Sequence, residues 1–160
     1  MPFGICDLSA IPIRKEASHT SEMVSQVLFN ELYEVLDEKN GWKLIRTEMD
    51  QYEGWIQGIQ HHEVSEQKFL ETQSQKKFII EVPCLEYKGR QLSIGTPLYE
   101  PVAGTRMMSG RFSPSMMVDF AQRLLGSPYL WGGRTLFGID CSGFVQLCAR
   151  VAGKLLPRAA

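Results

Sequence analysis

Near residue 111 the spacing of apolar residues changes, and this change restricts the fold more than any other feature of the chain. Before it, apolar and polar residues alternate in short runs. Ser25–Gln26–Val27–Leu28–Phe29, Glu31–Leu32–Tyr33–Glu34–Val35–Leu36, Trp42–Lys43–Leu44–Ile45–Arg46 and Glu53–Gly54–Trp55–Ile56 run close to period two, the signature of half-buried strands. Lys39–Asn40–Gly41 is a tight hairpin signal between two of them. About five short strands in sixty residues predict a small antiparallel barrel over 1–60. After residue 111 the period becomes helical. Ser113 as N-cap and Pro114 as first helical residue precede Met116, Met117, Phe120, Ala121, Leu124 and Leu125, and Gly126 supplies the stop. A second helix runs from Cys141 to Ala152, with Gly153 ending it, and its apolar residues encircle it enough to predict a buried central helix. Between these parts, residues 61–110 read as linker or additional strands. Glu63 to Gln73 is either a short helix or a connector, and Phe78–Val82 and Gln91–Ile94 are strand-like, punctuated by Pro83, Pro97 and Pro101. The pattern leaves open whether these strands complete the first barrel, begin a second or only connect. The fold class is therefore α+β: an N-terminal small antiparallel β-barrel followed by a helical part over 111–160.

Composition excludes several function classes. With 44% hydrophobic and 22% charged residues, the 160-residue chain is neither a disordered tail nor a fibrous sequence. Its net charge of −1 offers no overall field for nucleic acid or an anionic membrane, so neither is expected as a partner. No apolar run approaches a membrane span, and no basic segment precedes an apolar one at the start, which predicts a cytoplasmic protein. Cys6, Cys84, Cys141 and Cys148 lack paired spacing, so free thiols are expected, with no metal site and no cofactor.

Cys141 is the candidate nucleophile. At a helix start, a thiol meets unsatisfied amide hydrogens and the positive end of the helix dipole, which favour the thiolate. Gly132 and Gly133 would let backbone approach a substrate, and Gly143 removes bulk beside the sulfur. The competing reading is a small buried structural cysteine.

Tyr129–Leu130–Trp131–Gly132–Gly133, then Gly138–Ile139–Asp140–Cys141–Ser142–Gly143–Phe144–Val145–Gln146, then Leu156–Pro157–Arg158 closely resemble the NlpC family of papain-like cell-wall cysteine peptidases. The first sixty residues resemble the bacterial Src-homology-3-like barrel of one branch of that family. The resemblance implies a papain-like catalytic domain whose N-terminal part is 111–160. It also implies a cysteine endopeptidase cleaving γ-D-glutamyl-diamino acid bonds in murein peptides with a free N-terminal L-alanine. Cys141 matches the nucleophile and Tyr129 the oxyanion-holding tyrosine, a phenol donor aimed at developing negative charge. Asp140 and Ser142 match residues that recognise the substrate's α-amine, although both also suit helix caps. Tyr52, in Asp50–Gln51–Tyr52–Glu53–Gly54–Trp55, matches a tyrosine reaching across from the barrel, the plainer alternative being an edge-strand packing residue. Glu31 matches a substrate-side glutamate, against the alternative of a solvated charge. Asn30 replaces the glycine usual before it, and asparagine tolerates the left-handed backbone such a turn needs.

Two departures are visible. No histidine follows Cys141, whereas a papain-like thiol needs a base and a residue to orient it. The resemblance places both beyond Ala160, so this chain is expected to be inactive alone, with the rest of the catalytic domain as its partner. His19, His61 and His62 are read as surface or linker residues. Ala159 and Ala160 follow Arg158 where the family carries a polar residue. Alternative functions are a non-catalytic peptide-binding module and a related cysteine amidase or acyltransferase.

Overall fold

The structure, a computed structural model, describes residues 2–108 and 110–158. Ala159 and Ala160, where the sequence departs from the family, lie outside the described residues.

Six strands form the first sheet: β1 (Phe3–Ile5), β2 (Ala10–Arg14), β3 (Met23–Leu28), β4 (Leu32–Lys39), β5 (Trp42–Thr47) and β6 (Glu53–Gln57). All pairs are antiparallel, in the order β1-β4-β5-β6-β2-β3. Asn40 and Gly41 take φ of 49° and 80°, the left-handed pair that a two-residue hairpin requires. Asn30 also lies at φ 66°, so the turn before β4 survives the loss of its expected glycine. Ile11, Ile13, Val27, Tyr33, Ile45 and Ile56 fill the concave side.

The predicted closed barrel is not found, because the two edge strands are engaged elsewhere. The outer edge of β1 pairs with the following segment, Ile5 N–H donating to His62 O at 3.0 Å and Val64 N–H to Phe3 O at 3.0 Å. At β3, the Gln26 carbonyl accepts from Arg134 Nη1 at 2.6 Å. Each edge is thus satisfied by later chain, which removes the drive to pair them with each other.

Within 61–110 the helix alternative holds. Ser65 caps α1 (Glu66–Ser74) by accepting from Lys68 N–H at 3.1 Å, and α1 sets Phe69 against Phe3 with ring centroids 4.7 Å apart. The strands that follow do not extend the first sheet. β7 (Phe78–Ile80) lies between β10 (Pro97–Leu98) and β11 (Thr105–Met107), while β8 (Cys84–Tyr87) and β9 (Arg90–Ser93) form a separate hairpin. Ile80, Leu92 and Leu98 close a small core over Phe29.

The helical part consists of α2 (Pro114–Arg123), β12 (Arg134–Thr135), β13 (Gly138–Ile139) and α3 (Cys141–Val151). Ser113 caps α2, and Gly126 and Gly153 follow α2 and α3 at φ 88° and 104°, as the pattern predicts. Phe120, Leu124, Leu147, Cys148 and Val151 share a core with Leu28 from the first sheet and Ile79 and Ile94 from the middle segment. The expectation of a helix buried on all sides needs correction. From Gln146 to Ala152 every residue is buried, as expected, but the first part of the helix is not, since Cys141 is exposed and Val145 is 44% exposed. No helix is long and apolar enough to cross a membrane among the described residues.

A buried ion network joins the first sheet to α3. Glu31, 3% exposed, accepts from Leu28 N–H at 2.9 Å, from Arg134 Nη1 at 3.1 Å and from Arg150 Nη1 at 2.6 Å. Burial alone would raise the Glu31 carboxyl, but the two guanidiniums outweigh it and hold the group below the usual carboxylate range. Glu31 is therefore neither a solvated charge nor part of a substrate pocket, and its role is that of an internal strut. Glu31→Gln keeps the shape and leaves two buried cations unmatched, so urea unfolding at pH 7 should show a loss of about 3–5 kcal/mol. Because the folded-state carboxyl is depressed, its contribution is present above its ordinary pKa of about 4.3 and is lost as pH falls through the depressed value, so the two proteins should converge in acid. A deficit at pH 7 below about 1 kcal/mol, typical of a surface pair, would show that the network is not the strut described.

Candidate active site

Cys141 is the first residue of α3, and everything before it serves to hold that helix start in place. Asp140 is the N-cap, accepting from Gly143 N–H at 2.7 Å through Oδ1. Its Oδ2 accepts from Gly132 N–H at 2.9 Å. Arg158, 2% exposed, grips both oxygens, Nη1 to Oδ1 at 3.0 Å and Nη2 to Oδ2 at 2.8 Å, and also donates to Ser142 Oγ and to Ser25 Oγ of β3. Burial would raise the Asp140 carboxyl, but Arg158 and the two amides hold it below the usual range. Asp140 thus caps the helix while the Ser142 hydroxyl donates to Asp140 Oδ1, and the polar atoms of both are largely taken up within the protein even though both line the pocket beside Cys141.

The glycines serve packing more than substrate access. Gly132 sits at φ 81°, and a Cβ there would stand 2.4 Å from Met23 O at the start of β3. A Cβ at Gly143 would stand 2.4 Å from Gly133 O. Small residues therefore let the 132–133 turn lie directly between the first sheet and the start of α3.

Tyr129 is brought beside the nucleophile by a short zipper, with Leu130 N–H donating to Ile139 O at 3.2 Å and Ile139 N–H to Pro128 O at 3.0 Å. Its side chain is 65% exposed and lines pockets on both sides of Cys141. On one side lies a pocket of about 220 Å³ that mixes aromatic and charged walls, formed by Tyr52, Glu22 and Val24 from the first sheet and by Trp131, Ser142 and Arg158. On the other lies a more open apolar pocket of about 330 Å³ formed by Leu124, Leu125, Ile139 and Phe144.

Tyr52 comes from the loop between β5 and β6. It packs partly on the sheet core and reaches the pocket as well, so the packing and functional readings coexist. Burial raises its phenol pKa, which keeps the hydroxyl a donor at neutral pH.

Four wall residues, Glu22, Val24, Trp131 and Arg158, were not singled out from the sequence. Trp131 and Arg158 lie inside the quoted motifs. Glu22 carries no motif signal and reaches the pocket only because β3 is the sheet edge facing Trp131, whose Nε1–H donates to Glu22 Oε1 at 2.7 Å.

None of the three histidines lines either pocket. His19 contacts Trp42 and Gln57, and His61 Nδ1 shares a 3.0 Å hydrogen bond with the Tyr33 hydroxyl. All four cysteines are free, Cys6 and Cys148 buried and Cys84 half-buried.

Residues 13–58 match the family described as the bacterial dipeptidyl-peptidase Sh3 domain, and residues 126–160 match the NlpC/P60 family. A gamma-D-glutamyl-L-lysine dipeptidyl-peptidase of Bacillus subtilis (strain 168) is 26% identical over 162 residues, covering 84% of this chain and 55% of its own length. A probable peptidoglycan endopeptidase, LytE, of the same organism is 55% identical over 31 residues, 19% of this chain and 9% of that protein. The chain thus spans about half the length of the relative it matches along most of its own. The crystal structure of an NlpC/P60 family protein from Bacillus cereus ATCC 10987 superimposes with a TM-score of 0.77 at 16% identity, covering 98% of this chain and 74% of that one. An NlpC/P60 endopeptidase from Photobacterium damselae subsp. piscicida gives 0.72 at 16% identity, covering 99% and 44%. At that identity the two structures establish the shared fold. By these matches residues 13–58 resemble a bacterial dipeptidyl-peptidase Sh3 domain and residues 126–160 resemble the NlpC/P60 family, within a chain that shares the fold of two NlpC/P60 structures.

Proposed function

We propose that this chain forms the nucleophile-bearing and amine-binding part of an endopeptidase that cleaves the γ-D-glutamyl-diamino acid bond of murein peptides with a free N-terminal L-alanine. The observation that carries the proposal is the position of Cys141 between a small pocket, walled by the first sheet and lined in part by Glu22, Asp140 and Arg158, and a more open apolar one. A wall at one end admits a short N-terminal piece, which suits release of a dipeptide. The printed name of the Bacillus subtilis relative, a γ-D-glutamyl-L-lysine dipeptidyl-peptidase, supports the same bond.

The geometry changes which group should take the ammonium. Asp140 is already matched by Arg158, whereas among the described residues Glu22 forms no ion pair with a guanidinium: it accepts from the Trp131 indole and lies 3.9 Å from Lys15 Nζ. Glu22, helped by the Tyr52 hydroxyl, is the better partner. In the reaction, the Cys141 sulfur attacks the γ-glutamyl carbonyl carbon, and Tyr129 and the Cys141 amide hold the oxyanion. The diamino acid leaves with a proton on its amine, and water then releases the acyl group. The proton acceptor is not among the residues lining these pockets. Preference for an unblocked amine suits recycling of released murein peptides in the cytoplasm.

The test is to incubate the 160-residue chain with L-Ala-γ-D-Glu-L-Lys and with the diaminopimelate peptide and identify products by mass spectrometry. With no base beside Cys141, no more than a trace of L-Ala-γ-D-Glu is expected, and Cys141→Ala should remove it. Cleavage at another bond, or release that survives Cys141→Ala, would refute the assignment. A peptide-binding module is the second reading, favoured by the lack of any histidine beside Cys141, and it requires binding of the same dipeptide end without any cleavage.

A further inference from the structure

Gln146 lies on the buried side of α3 and is 2% exposed. An amide in such surroundings is costly unless its donors and acceptor are used, and here they are. Nε2 donates to Asp50 Oδ2 at 2.8 Å and to Leu156 O at 3.1 Å, and Oε1 accepts from Arg134 Nε at 2.8 Å. Each partner stands two residues from a part of the amine pocket: Asp50 from Tyr52, Leu156 from Arg158, and Arg134 from Gly132, whose N–H holds Asp140. Asp50 passes the constraint on, since Thr47 Oγ1 donates to it and accepts from Tyr52 N–H at 2.9 Å.

We propose that Gln146 is a positioning residue: its one buried amide sets the spacing between the Tyr52 loop and the Arg158 segment, and so sets the width of the pocket that receives the peptide's N-terminus. It touches no substrate itself. The inference rests on the proposed reading of that pocket. Asp50 is ionised, since Arg134 and the Thr47 hydroxyl outweigh the effect of its burial, so it accepts only, and position 146 must supply a donor.

Two variants test this. Gln146→Glu sets two carboxylates face to face. The double exchange Asp50→Asn with Gln146→Glu restores a donor and acceptor between the two positions, keeps the net charge and still offers Arg134 an acceptor, but it leaves the Leu156 carbonyl without its donor, so only the Tyr52 side of the link is restored. Affinity for L-Ala-γ-D-Glu is measured by calorimetry on the 160-residue chain, with hydrogen exchange at the Tyr52 amide and urea unfolding as companions. Gln146→Glu should weaken binding about tenfold and speed Tyr52 exchange, and the double exchange should return Tyr52 exchange to near the wild-type rate while recovering only part of the affinity, because the link to Leu156 stays broken. Wild-type affinity in Gln146→Glu overturns the proposal. So does a folded double exchange in which Tyr52 exchange stays as fast as in Gln146→Glu. If the wild-type chain does not bind the dipeptide, the substrate reading fails instead. The positioning role then rests on Tyr52 exchange alone, which must rise in Gln146→Glu and fall back in the double exchange.

Discussion

Limiting iodoacetamide at pH 7.5 is expected to modify Cys141 at least about a hundredfold faster than Cys148 or Cys6 in the folded protein. Cys141 is exposed at the first turn of α3, while Cys148, two turns along the same helix, is 1% exposed. Burial pushes the Cys148 thiol up to about 11 and raises that of Cys6 still further. A thiol pKa of about 11 rather than the ordinary 8.5 or so leaves roughly a hundredfold less thiolate at neutral pH, and the reagent must also reach a sulfur sealed in the core. Cys84, half-buried at Gln91, should fall between. As pH rises toward 11 the thiolate part of the gap should close, leaving only the access part. Peptide mass mapping over time gives the rates, and equal labelling of Cys141 and Cys148 in protein shown to be folded would remove the case for a reactive nucleophile.

Local features were the most legible in the sequence. The hairpin at Asn40–Gly41 and the caps at Ser113 and Asp140 depend on a few adjacent residues, and the structure places them as read. Sheet closure was not legible, since whether β1 and β3 pair depends on what residues 62–64 and Arg134 do with their hydrogen bonds. Glu31 was misread for a related reason. A lone carboxylate at a turn looks solvated until Arg134 and Arg150, more than a hundred residues later, are brought onto it. At the site, residues next to the nucleophile came from the motif, whereas Glu22 had no local signal and entered the pocket through the position of β3 at the sheet edge. Asp140 shows why a motif position is not yet a role. Its place beside Cys141 was legible, but the guanidinium that matches its charge was visible only in three dimensions.

That redistribution of charge alters the expected basis of substrate choice. L-Ala-γ-D-Glu should bind at least about a hundredfold more tightly than its N-acetyl derivative, since a hydrogen bond to a charged group is worth about 1.5–3 kcal/mol and the acetyl group adds bulk at a walled end. The Glu22 side chain is 41% exposed, so solvent screens part of its attraction, and the Tyr52 wall must supply the rest of the discrimination. The two contributions separate by mutation. Glu22→Gln should lower affinity for the free peptide by about tenfold while leaving the acetylated one nearly unchanged, because only the free peptide carries the charge. Tyr52→Ala should instead raise affinity for the acetylated peptide by opening the wall. Asp140→Asn should act differently from both: with its bond to Arg158 weakened, the start of α3 loosens and both peptides lose affinity together. Calorimetry with the two peptides on the wild type and three variants decides among these. Equal affinity for free and acetylated peptide in the wild type would mean that the first sheet does not gate the site, and the free-amine assignment would fall. A free-amine preference abolished by Asp140→Asn but untouched by Glu22→Gln would return the ammonium to the carboxylate beside the nucleophile, with Arg158 yielding its place when substrate enters.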